Sequence, residues 1–214
     1  PAVLVKKIAV TGTPLLLNEA LWSMGMAVMN QCYSVRGLDV VAAVNICSTV
    51  SNLFNVVFMS LGSSIAIIVG QQLGAGETEK AVDTDRKMIA FSVFSCFAIG
   101  SCMFVIAPLI YNTEPQVRRI AARLIFIVAC CMPIHAFNHA SYFTMRSGGK
   151  TFITFLFDSV YVWAVNIPLA YFLAHFTSMN IVPMYLCCIL IDLIKCAIGL
   201  ILLKRRAWVR NIVA

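Results

Sequence analysis

Charge is what this sequence has least of. Only 12% of its 214 residues are Asp, Glu, Lys or Arg, against 61% hydrophobic. A water-soluble domain carries about 25% charged and 45–50% apolar residues, so an ordinary soluble fold is excluded. The scarcity is also uneven. No charge occurs from Val40 to Gly76 or from Met88 to Thr113, and Glu19 is the lone one from Ile8 to Val35. Apolar runs of more than about 18 residues are candidates for membrane-crossing helices.

Other absences narrow the chemistry. The sequence lacks a GxSxG, an HExxH, a GxxxxGK[ST] and a strand-linked GxGxxG, so catalysis has only generic support. CxxC spacing is missing although there are nine cysteines. They lie inside apolar runs, two pairs of them adjacent (Cys130–Cys131 and Cys187–Cys188), and read as reduced packing residues rather than disulfides or metal ligands. No basic stripe is interleaved with aromatics, so the net charge of +7 reads as membrane topology and not as a nucleic-acid surface. The sequence begins at Pro1 without a leader pattern, which reads as an excised piece whose first helix is a true span.

What is present is a set of six apolar segments, near 8–33, 40–70, 88–110, 120–145, 151–175 and 182–203. They lack the alternation of barrel strands, so the expected fold is all-α: a polytopic six-helix bundle over residues 1–214, without a second domain. The second segment is too long for a straight crossing and is expected to tilt or project. The polar stretch 71–87, with Glu77, Glu79, Asp83 and Asp85 among Lys80, Arg86 and Lys87, reads as a short solvated connecting helix. With the start inside, eleven basic residues (Lys6, Lys7, Lys80, Arg86, Lys87, Arg146, Lys150, Lys204, Arg205, Arg206 and Arg210) fall on the inner side and four (Arg36, Arg118, Arg119 and Arg123) outside. That asymmetry predicts both ends in the cytoplasm.

Polar residues inside these segments are the functional candidates. A charge at mid-bilayer costs about 2.5–3.5 kcal/mol on insertion scales and marks a protein interior or a watery path. Glu19 is the first such residue. Gly12, Glu19, Ser23, Met26 and Asn30 share a helical face, which suits a cation or proton pathway, although polar residues also hold helices together. Asn45, Ser48, Asn52, Asn55 and Ser63 share a face on the second segment, where amides offer oxygens to a cation and donors to a carboxylate. Gly62, Ser63, Ser64 and Ala66 suggest close helix approach. On the fourth segment His135 and His139 are one turn apart, without a third metal ligand; His135 titrates in a range suited to a pathway role. Asp158 has no partner in its own helix, whereas Asp192 and Lys195 are spaced for an intrahelical ion pair. Met24, Met26 and Met59 offer a pliable wall for varied ligands, with ordinary packing or lipid contact the simpler account.

Several of these runs resemble one family. Pro14 to Glu19 followed by Trp22 and Gly25 is one; Val-Ala-Ala-Val-Asn-Ile at 41–46 and Ser-Ile-Ala-Ile-Ile-Val-Gly-Gln-Gln-Leu-Gly-Ala-Gly at 64–76 are others. Met-Arg-Ser-Gly-Gly-Lys at 145–150, Asp-Ser-Val-Tyr-Val-Trp-Ala-Val-Asn-Ile-Pro at 158–168 and Lys-Arg-Arg-Ala-Trp-Val-Arg-Asn at 204–211 complete the set. In order along the chain, they resemble the multidrug and toxic compound extrusion (MATE) family. The resemblance implies a twelve-helix antiporter of two six-helix bundles, with this chain similar to the C-terminal bundle and the N-terminal six-helix half outside it. It implies no cofactor, export of cationic, amphipathic drugs in exchange for Na⁺ or H⁺, and a place in the cell's inner (plasma) membrane. Glu19 matches the acidic residue of the family's seventh helix; His135 falls near a position where some relatives carry an acid in the tenth. The residues expected to bind ion, proton or substrate are therefore Glu19, Asn30, Asn45, Asn52, His135 and Asp158. The competing readings are a flippase or exporter for lipid-linked or polar metabolites, a membrane enzyme using His135, His139 and Asp158, and a scaffold bundle.

Overall fold

The computed structural model describes residues 2–110 and 113–209. Apolar runs with few breakers form six long helical segments: α1 (Ala2–Ser34), α2 (Leu38–Gly74), α3 (Thr78–Ile110), α4 (Pro115–Ser147), α5 (Thr151–Phe176) and α6 (Ile181–Lys204). No strand occurs among the described residues. Five of the six, α2 to α6, are long and apolar enough by composition to cross a membrane. α1 is 33 residues long.

The helices outrun the apolar segments. A 33-residue helix is about 50 Å long and the 37 residues of α2 span about 55 Å, against about 30 Å of hydrocarbon. The excess length is thus shared by α1, α3 and α4 and is not peculiar to α2. The polar stretch 71–87 is not a separate connecting helix: α2 runs to Gly74, and from Thr78 onward the residues are the first turns of α3. Glu77 pairs with Lys80 at 2.9 Å and Asp83 with Lys87 at 2.6 Å, side by side on an exposed face. Such i, i+3 and i, i+4 pairs let a helix continue into water.

α4 is the central element, packed against α2, α3 and α6, while α1 packs on α5 and the edge of α2. Leu124, Met132 and Ala136 of α4 are fully buried with Cys47 of α2 and Met103 of α3. The close approach expected on α2 is made by Gly62. A Cβ there would come within 2.3 Å of the Phe143 ring, so a larger residue would have to displace that ring. Its neighbour Ser63 is exposed and bonds to the carbonyl of Ser60.

Two helices depart from regular geometry at matching depth. α5 widens into π-type turns at Leu156–Val160 and Val162–Asn166, just ahead of Pro168. Pro168 lacks an N–H, so a carbonyl of the preceding turn is released. α6 is interrupted at Ile191, between Ile181–Leu190 and Asp192–Lys204. Irregular backbone at membrane depth persists only where protein or a watery cavity satisfies it. Here side chains do so: Tyr161 Oη donates to the Ile191 carbonyl at 2.6 Å and Asn138 Nδ2 to that of Asp192 at 3.4 Å.

Arginines tie down both ends of the bundle. At one end the Arg36 guanidinium donates to the carbonyls of Leu173 and Thr177, both at 2.7 Å, closing the end of α5. At the other end Arg206 pairs with Glu79 at 2.5 Å. Arg210 lies outside the described residues, as do the side chains of Lys6 and Lys7.

Candidate functional site

The structure gathers the polar residues of α1, α4, α5 and α6 into one network. Its first part centres on Asn18, which is 2% exposed. One helical position separates it from Glu19, and that 100° rotation turns Asn18 into the bundle and leaves Glu19 on its exposed edge. Asn18 Nδ2 lies 3.3 Å from both the Tyr142 hydroxyl and Asp158 Oδ2. Ser159 Oγ donates to the Asn18 side-chain and backbone oxygens, at 2.7 and 2.8 Å. The Tyr142 hydroxyl in turn donates to Glu19 Oε1 at 3.3 Å. Glu19 is thus linked by one long hydrogen bond to a buried network and faces outward from it.

Asp158 is closed off by a cation from another helix. Lys195 Nζ sits 2.9 Å from Asp158 Oδ1, with both side chains largely buried. This corrects the sequence expectation of an Asp192–Lys195 pair within α6. The ammonium also lies over the rings of Phe157 and Tyr161, at 5.1 and 5.9 Å from their centroids. Two π faces and a carboxylate on α5 together outweigh one residue three positions away on its own helix.

The second part of the network centres on Asp192. Its Oδ1 accepts a hydrogen bond from Asn166 Nδ2 at 3.1 Å. Asn138 contacts the thiol of Cys196, whose Sγ donates to Asn138 Oδ1 at 3.2 Å. His135 and His139 lie half-buried on the same helix as Asn138. His139 faces the Phe58 ring at 5.1 Å. No group of three or more His, Cys, Asp or Glu suited to a metal ion occurs among the described residues.

The other expected site residues stay apart from this network. Asn30, Asn45 and Asn52 are exposed, on α1 and α2, two helices that pack against each other. Asn52 Oδ1 accepts from Asn55 Nδ2 at 3.5 Å. Sequence reasoning passed over Asn18 and Tyr142 and gave Lys195 the wrong partner. The available signal was position: Asn18 adjoins Glu19, and Tyr142 lies one turn beyond Asn138 and two beyond His135 on α4. Beside the network, an apolar groove of about 350 Å³ opens between α1 and α5, lined by Leu21, Ser159, Val160, Trp163 and their neighbours.

Comparison with known proteins gives the architecture a lineage. The MatE family model matches residues 14–172. A probable multidrug resistance protein of Bacillus subtilis, YoeA, is 22% identical over 181 residues, spanning 81% of this chain and 38% of the relative. Among solved structures, a transporter of the MOP superfamily from Pyrococcus furiosus, described as having a binding pocket of reverse polarity, superposes with a TM-score of 0.85 at 16% identity, over 96% of this chain and 46% of that one. A MATE protein solved in complex with MaL6 also superposes with a TM-score of 0.85, at 14% identity, over 96% and 47%. The chain thus spans less than half the length of these relatives.

Proposed function

The chain belongs to the MatE family, and on that premise we propose that it forms one six-helix lobe of an exporter that expels cationic, amphipathic compounds in exchange for Na⁺ or H⁺. The observation that carries this reading is the position of Glu19. It lies near the middle of a 33-residue helix, on an exposed face, held by the Tyr142 hydroxyl and by no ion pair among the described residues. An isolated carboxylate at that depth has no place against lipid. It has one against a watery cleft between this lobe and a second bundle.

The rest of the surface supports that division. Exposed residues of α3 and α6 within the span are carbon-rich, among them Phe91, Phe94, Phe97, Leu193, Ile194 and Ile198. Exposed residues of α1 and α2 include the polar Glu19, Ser23, Asn30, Asn45 and Asn52 alongside apolar ones such as Leu17, Leu53 and Val56. The exposed faces of α3 and α6 suit lipid, and the polar positions on α1 and α2 suit a lined passage bordered by apolar surface. The exposed thioethers of Met24, Met26 and Met59 and the apolar groove by Trp163 provide adaptable surface for the carbon skeleton of a substrate.

The mechanism is competition for one negative charge. A proton or Na⁺ on Glu19 neutralises it and permits the cleft to close; a substrate cation displaces the ion while the lobe faces the cytoplasm. Alternating exposure of the cleft then exchanges the two across the membrane. A membrane potential supplies about 2.3 kcal/mol per charge per 100 mV, enough for roughly fifty-fold accumulation. The protein sits in the inner membrane in this reading, with both ends of the chain in the cytoplasm.

Reconstitution in liposomes of the protein that carries this chain tests the proposal. A sodium or proton gradient is expected to drive efflux of a cationic dye, and Glu19→Gln to uncouple efflux from the gradient while membrane insertion is retained. Wild-type efflux in that variant would remove Glu19 from the mechanism. Failure of both gradients to move any cation would remove the exporter. The sign of the substrate is part of the readout, because one solved relative is described as having a pocket of reverse polarity. Preference for anionic lipid-linked precursors over organic cations would favour the flippase reading.

A further inference from the structure

We propose that Asp192 and Asn166 bind one small monovalent cation, a proton or Na⁺, at the middle of α6. The site deepens the exporter reading by adding an ion station inside the lobe, apart from Glu19. Its role in transport rests on that reading; its occupancy does not.

Three observations converge on it. First, Asn166 is buried, 7% exposed, and its Oδ1 has no hydrogen-bond partner, while Nδ2 of the same amide donates to Asp192 Oδ1 at 3.1 Å. A buried carbonyl oxygen without a donor is costly, and an ionised carboxylate beside it can only accept. The pair therefore presents acceptor oxygens and is short of a positive group. Second, the nearest fixed cation is committed elsewhere, since Lys195 is bound to Asp158 at 2.9 Å. With both aspartates ionised and Lys195 charged, the centre carries one unbalanced negative charge. Uncompensated charge inside a membrane protein is unfavourable, and uptake of a cation removes it. Third, the backbone departs from regular helix at this point. α6 is broken by a tight turn at Ile191, where the Ile194 N–H donates to the Ile191 carbonyl at 3.0 Å, and α5 carries the wide turn Val162–Asn166 opposite it. Wide turns of this kind recur at functional sites.

The surroundings of Asp192 contain no second fixed cation to do this work among the described residues. From its own helix it meets Lys195, Cys196 and Cys188; from α4, His135, with His139 one turn away; from α5, Tyr161, and Asp158 through Lys195. Glu19 on α1 lies on the far side of Tyr142. A proton placed on the free oxygen of Asp192 would donate to Asn166 Oδ1, completing a two-point acid–amide pair. Na⁺ would instead share the same two groups as oxygen ligands.

Purified protein containing the whole chain, in detergent, distinguishes the two sources. If the cation is a proton, infrared difference spectra between acid and alkaline pH show a carboxylic C=O band that Asp192→Asn removes and Asn166→Ala displaces. If it is Na⁺, binding of ²²Na⁺ at fixed pH weakens by about tenfold or more in both variants. In either case the loss is read in a Glu19→Gln background, so that any signal from Glu19 is already absent. An unchanged infrared band together with unchanged Na⁺ binding in Asp192→Asn overturns the site. Should that variant not fold, Asn166→Ala, which keeps every charge, decides by the same two readouts. A protein that binds the cation here but moves no dye keeps this site and loses the exporter reading; dye export with no ion signal from Asp192 does the reverse.

Discussion

Lys195 shows what a single residue decides in this bundle. Its ammonium leaves the carboxylate on its own helix for Asp158, 2.9 Å away on α5, and so bolts α6 to α5 beneath the network that reaches Glu19. Removing one member of a buried pair leaves the other charge stranded, which costs about 3–5 kcal/mol. Lys195→Met is therefore expected to destabilise the protein by that amount in thermal or denaturant unfolding. Asp158→Asn combined with Lys195→Met is expected to recover much of the loss, because no stranded charge remains. A double variant as unstable as the single one would show that Lys195 acts through packing on Phe157 and Tyr161 instead. None of this partner choice was legible in the sequence. A spacing of three residues identifies what shares a helix face, but which neighbouring helix presents a better partner depends on how α5 and α6 dock.

Among the elements, α2, α3 and α4 depend at one end on the segment that follows α6. Trp208, 1% exposed, packs with Ile65, Val69 and Leu73 of α2 and Ala81 and Val82 of α3. It arrives there through Arg206, whose φ is 52°, with the side chain held by Glu79. The Trp208 carbonyl passes so close to Gly148 that a Cβ there would fall 1.9 Å from it. Gly148→Ala is expected to expel this segment, since a backbone carbonyl cannot move aside as a flexible side chain would. Trp208→Ala should cost about 3–5 kcal/mol, the range for deleting a buried large aromatic. Both variants should lower the thermal midpoint in detergent and expose the segment to protease, and native midpoints in both would refute the docking. Nearby, Thr144 Oγ1 donates to the buried carboxylate of Asp85 at 2.5 Å, tying α3 to α4 at the same level. The helices and their order could be read from the apolar runs. The starts of α3 and α4 could not, because the polar residues at 78–87 read as a separate connecting helix and those at 115–119 fall outside the apolar run, whereas both form the first turns of long helices.

For the molecule as a whole, the informative contrast is between its two kinds of exposed surface. Single cysteines placed in a cysteine-depleted background of the complete protein should report it. At Asn45 and Asn52 they should react with membrane-impermeant thiol reagents, and at Phe94 and Ile198 they should not. Equal protection at all four positions would mean that this face of α2 meets lipid, and the cleft on that side would be lost. Reporter fusions test orientation by the same logic. A periplasmic reporter fused after Lys150 should be inactive and one fused after Glu114 active, with both ends of the chain on the inner side. The opposite pattern would invert the topology drawn from the basic residues.

The sequence by itself determined that this chain is a bundle of membrane-length helices, how those helices follow one another, and which polar residues stand out along them. Apolar run length and charge scarcity act locally, along one helix at a time, so one dimension suffices to read them. Only the tertiary structure decided that Asn18 and not Glu19 enters the interior, that Asp158 belongs to Lys195, and that Asp192 is left with an amide short of a donor. Those outcomes depend on the rotation and depth at which each helix meets its neighbours, and side-chain packing across the whole bundle sets both.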